Sequence, residues 1–285
     1  MPHNLHQLTD HIHWFTPDSA TDRPILGFIR GQRSSLMVDA GASLKHTNEF
    51  LEAVKQAGLA APDYCVLTHW HWDHSFGAEA LTTPLIAHRK TAEALALQAS
   101  YSFSDEALDE RVAQGLEIAF CRDYMKLEMN AAERSDLQLR QPDIVFETTL
   151  FIDLGGVRCE LRHVGGDHAD DSVVIYVPED RALFLGDCAY QCLYSQLPYY
   201  SAETTLGLVN ELASFDLEYA LESHTEEVYT HENFSSYMKT LQTFAVLVQQ
   251  VSDEEALKHE VKQQLPELDQ EDVEEYSMMF LNGLK

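Results

Sequence analysis

The sequence predicts an α+β fold in which two β-sheets pack face to face and helices cover the outside. Strand-like segments fall into two blocks, one within residues 25–87 and one within residues 150–222. Helix-like segments lie between the two blocks and after the second one. Strands grouped in this way are typical of packed layers that share a hydrophobic core. The hydrophobic fraction of 45% is ordinary for such a globular protein.

Apolar periodicity and turn residues set the elements of the first block. In chain order we predict two strands within 25–39 that turn near Gly31, a helix over 43–57 that Gly58 ends, a strand over 64–67, a strand around 85–87 and a helix over 90–98.

The second block and the tail follow the same criteria. We predict strands between 150 and 177 with a break at Gly155 and Gly156, strands over 181–185 and 219–222, a helix over 233–251, a capping box at 252–255 that opens the next helix, and a last helix that ends near Leu281.

The segment 101–141 is helix-forming and lies between the blocks, where it either covers a site or extends the core. We therefore predict a domain over 1–232 with a helical insertion at about 101–141, and a helical extension over 233–285.

The run from His69 to His74 places three histidines and one aspartate within six positions. Neutral imidazole and carboxylate are suitable ligands for Zn²⁺ and related ions. In an extended or turning segment, residues two apart point the same way, so His69, His71 and Asp73 can converge. His74 then turns toward a second centre. The run directly follows a predicted buried strand and predicts a metal site at its end.

Three further donors follow later strand-like segments: His168, Asp187 and His224. Each alone would suit a loop or a helix cap. Together with the histidine run they supply seven donors, roughly the number that two divalent ions need besides water. The sequence therefore predicts two metal ions at an edge where both sheets end.

The order of these motifs resembles the metallo-β-lactamase superfamily of hydrolases, whose signature is His-x-His-x-Asp-His followed by a separate His, Asp and His. The resemblance extends from about Ile25 to His224 and includes Asp39 in a strand-ending Asp-x-Gly. It implies the αββα sandwich of two mixed β-sheets flanked by helices. Ser223 replaces the family's usual glycine, and the loop around His168 also differs, but no donor is lost.

The resemblance also implies residue roles. His69, His71 and His168 would bind the first metal, Asp73, His74 and His224 the second, and Asp187 would bridge both. The ions would be zinc, with iron or manganese as alternatives.

The implied nucleophile is a hydroxide that bridges the metals, with Asp73 orienting it and accepting its proton. Tyr190, three residues after Asp187, is similar in position to a tyrosine of the acyl-homoserine lactonase branch and is the candidate oxyanion donor. Asp39 either holds a ligand imidazole or caps a turn.

Composition narrows the partners. The net charge of −28 disfavours nucleic acid and anionic membranes as partners and leaves a small-molecule substrate, neutral or cationic. The first residues lack a signal-peptide pattern, no apolar run is long enough to cross a membrane, and five scattered cysteines do not suggest a disulfide framework. We expect a cytoplasmic protein, with a homodimer as a possibility.

The leading hypothesis is a metal-dependent hydrolase of a small carbonyl compound such as a lactone or thioester. One alternative is a mononuclear iron persulfide dioxygenase, which retains the same donor positions. Another is a β-lactam hydrolase, which the expected location disfavours. A non-enzymatic ligand sensor is a further alternative, although it would not need all seven donors.

Overall fold

The computed structural model describes residues 5–284, and within them the strands form two mixed sheets. The first sheet has seven strands in chain order, antiparallel from β1 to β4 and parallel from β4 to β7. Its strands are β1 (Leu5–Gln7), β2 (Ile12–Phe15), β3 (Leu26–Arg30), β4 (Ser35–Val38), β5 (Tyr64–Val66), β6 (Leu85–His88) and β7 (Ile144–Phe146).

The second sheet has six strands within the same described residues, in the order β13-β12-β11-β10-β9-β8. All neighbours are antiparallel except β11 and β12, which run parallel. Its strands are β8 (Thr149–Asp153), β9 (Arg158–His163), β10 (Val173–Val177), β11 (Ala182–Gly186), β12 (Tyr219–Glu222) and β13 (Val228–Thr230).

Strand β10 shows how the layers arise. All five of its residues are buried, because successive side chains point to opposite faces and both faces are covered. Val173, Ile175 and Val177 face the first sheet and share a core with it. Val174 and Tyr176 face outward and pack under helices. The sheets therefore lie between two helical layers, and the predicted αββα sandwich is confirmed.

Ten α-helices lie within the described residues. They are α1 (Leu44–Gln56), α2 (Trp72–Ser75), α3 (Arg89–Gln98), α4 (Asp105–Ala113), α5 (Ala119–Glu128), α6 (Ala131–Asp136), α7 (Ala202–Leu212), α8 (His231–Val248), α9 (Glu254–Gln264) and α10 (Gln270–Asn282). Helices α1 and α3 cover the outer face of the first sheet, and α7 to α10 cover the second. No helix in the described part of the chain is long and apolar enough to cross a membrane.

The predicted insertion folds into α4, α5 and α6. Its buried residues, among them Phe103, Leu108 and Met125, form a separate core with Trp72 and Phe76. Because both aromatic residues lie in or directly after the histidine run, the insertion packs against the predicted metal site.

Several elements differ from the prediction. Helix α8 begins at His231 and ends at Val248, not at 233 and 251. Asp253, not Ser252, caps α9, since its carboxylate accepts the backbone N–H of Ala256. Aspartate is as good a cap as serine, so the sequence alone does not decide between neighbours. The domain boundary between 1–232 and 233–285 stays a prediction, and its residues 1–4 and 285 lie outside the described part.

A buried ion pair ties the insertion to the first sheet. Nε and Nη2 of Arg23 donate to the two carboxylate oxygens of Glu128 at 2.8 and 2.7 Å, and both side chains are almost fully buried. Glu128 ends α5, and Arg23 lies just before β3.

We expect Glu128→Ala to lower the free energy of unfolding by about 3 kcal/mol, because the buried guanidinium of Arg23 then keeps only one carboxylate partner, the partly exposed Glu49 at 2.7 Å. Denaturant unfolding measures this change. Asp109→Ala, which removes a half-exposed partner of Lys126, is the control and should cost less than about 1 kcal/mol. Equal losses in the two variants would contradict the structural role of the pair.

Candidate metal centre

The predicted donors lie together at the edge where the parallel strands of both sheets end. Strands β4 and β5 run parallel, so Asp39 and the histidine run follow them at the same edge of the first sheet. Strands β11 and β12 run parallel in the second sheet and place Asp187 and His224 together in the same way. His168 lies in the loop between β9 and β10. The backbone N–H of Val173 at the start of β10 donates to the carbonyl of Thr68 at 2.8 Å and joins the two edges.

His69, His71 and His168 form the first cluster, in which one nitrogen of each ring lies within 4.8 Å of the others. Nδ1 of His71 and Nε2 of His168 are 2.9 Å apart. The three side chains are at least 90% buried. Three imidazoles that converge in this way are a known arrangement for a divalent metal ion.

Asp73, His74, Asp187 and His224 form the second cluster. Nε2 of His74 lies 3.0 Å from Oδ2 of Asp73, and Nε2 of His224 lies 3.3 Å from the same oxygen. Asp73 therefore lies with His74, although the alternation along the run placed it beside His69 and His71. The reason is that α2 begins at Trp72, so the chain is helical, not extended, from that residue.

Asp187 lies between the two clusters. Its Oδ2 is 3.4 Å from Nε2 of His168 in the first cluster, and 3.4 and 3.2 Å from Nε2 of His74 and of His224 in the second. All seven donors predicted from the sequence are thus brought together at one edge of the sandwich.

A hydrogen-bond network beneath the clusters orients two of the imidazoles. Oδ2 of Asp39 accepts from Nδ1 of His74 at 2.8 Å and from the hydroxyl of Thr68 at 2.9 Å. Because that hydroxyl donates to the carboxylate, its oxygen accepts from Nδ1 of His69 at 3.0 Å. Both rings therefore turn Nε2 toward the clusters. Asp39 therefore hydrogen-bonds an imidazole of the second cluster, which is the contact expected of it.

Two more contacts orient the rings of His168 and His224. Nδ1 of His168 donates to the backbone carbonyl of Gln191 at 3.2 Å, which leaves Nε2 facing the cluster. Nδ1 of His224 lies 3.7 Å from a carboxylate oxygen of Asp22. Partners of this kind set the tautomer and the direction of a metal-binding histidine.

Two glycines permit the close approach of these loops. Gly186 has a φ of +57°, and a Cβ there would lie 2.7 Å from Cβ of Thr68. Gly166 has a φ of +141°, and a Cβ there would lie 2.6 Å from the carbonyl oxygen of Cys188. Only glycine adopts these conformations without strain and leaves room for the neighbouring chain. Asp187 and His168 can therefore lie beside the histidine run.

The electrostatics of the clusters favour a cation. Burial, helped by neighbouring imidazoles, lowers the pKa of His69 and of His71 well below the usual range, so both rings are neutral. Burial alone would raise the pKa of Asp187, but the imidazoles of His74 and His224 outweigh it and hold that pKa well below the usual range. Burial would also lower the pKa of His74, yet the carboxylates of Asp73 and Asp187 raise it. Ionised carboxylates thus dominate the second cluster.

The donor set fits divalent metal ions. Nε2 of His69, Nε2 of His74 and Oδ1 of Asp187 are buried and have no hydrogen-bond partner within the described residues. Buried polar atoms are rarely left in this state, and a metal ion would satisfy such nitrogen and oxygen donors. Histidine and carboxylate suit zinc, iron and manganese alike, so the donors do not select one metal.

A cavity of about 660 Å³ opens onto both clusters. Ile118, Phe120 and Cys121 of the insertion line it together with His71, His168 and His224. The insertion therefore forms part of the wall above the clusters. Such a volume is suitable for a small organic molecule.

Tyr190, the candidate oxyanion donor, lies in this cavity. Its ring centroid is 6.0 Å from that of His168 and 6.1 Å from that of His224. Tyr194 lies in the same cavity: its ring centroid is 5.4 Å from that of His71, and its hydroxyl donates to Glu117 of the insertion at 3.0 Å.

The sequence argument missed Thr68, Asp22 and Glu222. Thr68 directly precedes the histidine run and Glu222 ends β12, so their places at strand ends were a usable signal. Asp22 has no such signal. It lies in a turn with a φ of +55° and approaches His224 only in the folded chain.

Two mixed sheets between helical layers, with histidine and aspartate clusters at one edge, define the class of αββα metallohydrolases. The sequence profile described as the metallo-beta-lactamase superfamily matches residues 27–224, and the chain belongs to this family. The resemblance inferred from the motifs is therefore confirmed. Family and clusters together indicate a metal-dependent hydrolase that acts on a small molecule.

One curated relative is the acyl-coenzyme A thioesterase MBLAC2 of Gallus gallus. It is 26% identical over 187 residues, which cover 62% of this chain and 62% of that protein. The match thus extends over less than two thirds of the relative.

Two solved structures show the same fold. A metallo-beta-lactamase from Pontibacter korlensis is 19% identical, with a TM-score of 0.58 over 84% of this chain and 99% of that one. The inverting sec-alkylsulfatase Pisa1 from Pseudomonas sp. is 14% identical, with a TM-score of 0.66 over 96% of this chain and 47% of that one.

Proposed function

We propose that this protein is a hydrolase with two divalent metal ions, most simply zinc, that cleaves a small carbonyl substrate such as a thioester or lactone. The observation that carries the proposal is the position of Asp187 between two clusters of buried donors. Similarity to a thioesterase in the same family supports a carbonyl substrate.

The proposed ligands follow the two clusters. His69, His71 and His168 would hold one ion, Asp73, His74 and His224 the other, and Asp187 would contact both. When bound, the ions would polarise the substrate carbonyl and make water a nucleophile near neutral pH.

The chain's own residues would perform the remaining steps. Asp73 is the proposed acceptor of a proton from the attacking water, since its carboxylate is ionised: burial would raise its pKa, but His74 and His224 hold it low. Tyr190 is the proposed donor to the oxyanion, because its ring lies beside both His168 and His224. The insertion limits access of bulk water from its side of the cavity.

A hydrolysis panel with metal-loaded protein tests this function. We expect turnover of thioesters or lactones, with little turnover of phosphate esters, sulfate esters and β-lactams. If only β-lactams are turned over, the substrate is a β-lactam and not the thioester or lactone that we propose. If the bound metal is iron and the protein consumes oxygen in the presence of glutathione persulfide, the reaction is an oxygenation and not a hydrolysis.

A further inference from the structure

The cavity that opens onto the clusters is also lined by a set of tyrosines and acids, which we call the tyrosine end. It lies where β12, β13, α8 and α10 meet. The residues that line it are Tyr190, Glu222, Tyr229, Tyr237, Asp272, Glu275 and Tyr276. Tyr229 and Tyr237 stack with ring centroids 5.8 Å apart.

Glu222 is the central acidic group of the tyrosine end. Only 4% of it is exposed, although it lines the cavity. The hydroxyls of Tyr229 and Tyr237 donate to its two oxygens at 3.1 and 3.3 Å. No lysine, arginine or histidine among the described residues forms an ion pair with it.

The only basic side chains that line the cavity, among the described residues, are the histidines of the two clusters. Asp22, Asp272 and Glu275 also line it, and none of its lining residues in 5–284 is lysine or arginine. Buried carboxylates are normally paired, because an isolated charge in the interior is costly. A positively charged ligand group would provide the missing partner at Glu222.

The tyrosine rings of this end also attract positively charged groups. Their faces are negative and attract organic cations, and a cage of aromatic rings is a common way to bind substituted ammonium groups. A substrate with several phosphate groups, such as a coenzyme A thioester, would meet only like charge at this end.

We propose that the substrate carries a substituted ammonium group, which binds at Glu222 among the tyrosines while its scissile carbonyl lies at the metal clusters. This inference rests on the proposed function and names the class of its substrate. It also gives the tyrosine end of the cavity a role in substrate specificity.

A matched pair of substrates tests the preference. Acetylthiocholine and 3,3-dimethylbutyl thioacetate have nearly the same shape and the same thioester, but only the first is charged. We expect kcat/KM to be at least about tenfold higher for acetylthiocholine. Equal values, or a preference for the neutral thioester, would overturn the inference.

The Glu222→Gln variant tests whether Glu222 causes the preference for the charged substrate. Glutamine keeps the size and can still accept from the tyrosines, but it removes the charge. We expect the ratio of the two kcat/KM values to fall close to one. Glu226→Gln is the matched control, since Glu226 is exposed in the loop just beyond β12 and should leave the ratio unchanged. An unchanged ratio in Glu222→Gln would refute the role of Glu222.

A binding measurement separates this inference from the proposed function. Calorimetry with metal-free and metal-loaded protein should show that choline binds at least about tenfold more tightly than 3,3-dimethylbutanol in both forms. If choline binds in this way but no thioester or lactone of the panel is hydrolysed, the proposed function fails and the cation site stands. If both thioesters are hydrolysed equally and choline does not bind, the proposed function stands and the cation site fails.

Discussion

Asp187→Ala should lose one of the two metal ions and nearly all turnover. The carboxylate is the only group of the site, among the described residues, that lies within 3.4 Å of nitrogens from both clusters. Loss of a partner outside the ligand shell already costs roughly 10- to 100-fold in metal affinity or activity. We therefore expect the loss of kcat/KM to exceed about a hundredfold. Metal analysis and steady-state kinetics on the purified variant measure both effects.

Asp216→Ala is the control for that experiment. It makes the same chemical change at an exposed aspartate that pairs with Arg181 far from the cavity, and it should keep both metals and the full rate. If Asp187→Ala also keeps its metals and its rate, the assignment of Asp187 to both ions is wrong.

Asp39→Asn should weaken metal binding by roughly 10- to 100-fold while the fold is retained. The Asp39 carboxylate accepts from the backbone and hydroxyl of Thr68 and from Nδ1 of His74, three hydrogen bonds that one amide oxygen cannot replace. Its backbone is left-handed, with a φ of +60°, and asparagine tolerates that conformation. Competition with a chelating dye measures the affinity.

Asp63→Asn provides the comparison. Asp63 also receives a backbone and a hydroxyl hydrogen bond, both from Ser35, but it contacts no residue of the clusters. We expect its metal affinity to equal that of the unchanged protein. An equal loss in the two variants would mean that general destabilisation, and not the orientation of His74, is responsible.

The candidate site was largely predictable because the signal for each donor lies in the residues next to it in the sequence. Each donor directly follows a strand-like segment, and ends of parallel neighbouring strands meet at one edge of a sheet. His168 needed more, since it lies in the β9–β10 loop. Its position after a strand-like segment made it a candidate, and the motif order of a known family supported that choice.

Other features depend on distant contacts that a single sequence does not show. β1 and β13 have only three residues each, too few for a periodic signal, and they pair because longer strands lie beside them. Helix α7 was missed although it packs in the core of the second sheet. The tyrosine end was missed as well, because Glu222, Tyr237 and Tyr276 come together only when α8 and α10 fold onto β12.

The metal content of the unchanged protein, loaded with zinc and freed of excess metal, tests the central claim most directly. The claim is that strand ends of both sheets hold a pair of divalent ions through the seven donors of the two clusters. We expect two equivalents of zinc per chain. Fewer than one equivalent under metal-replete conditions would contradict the account.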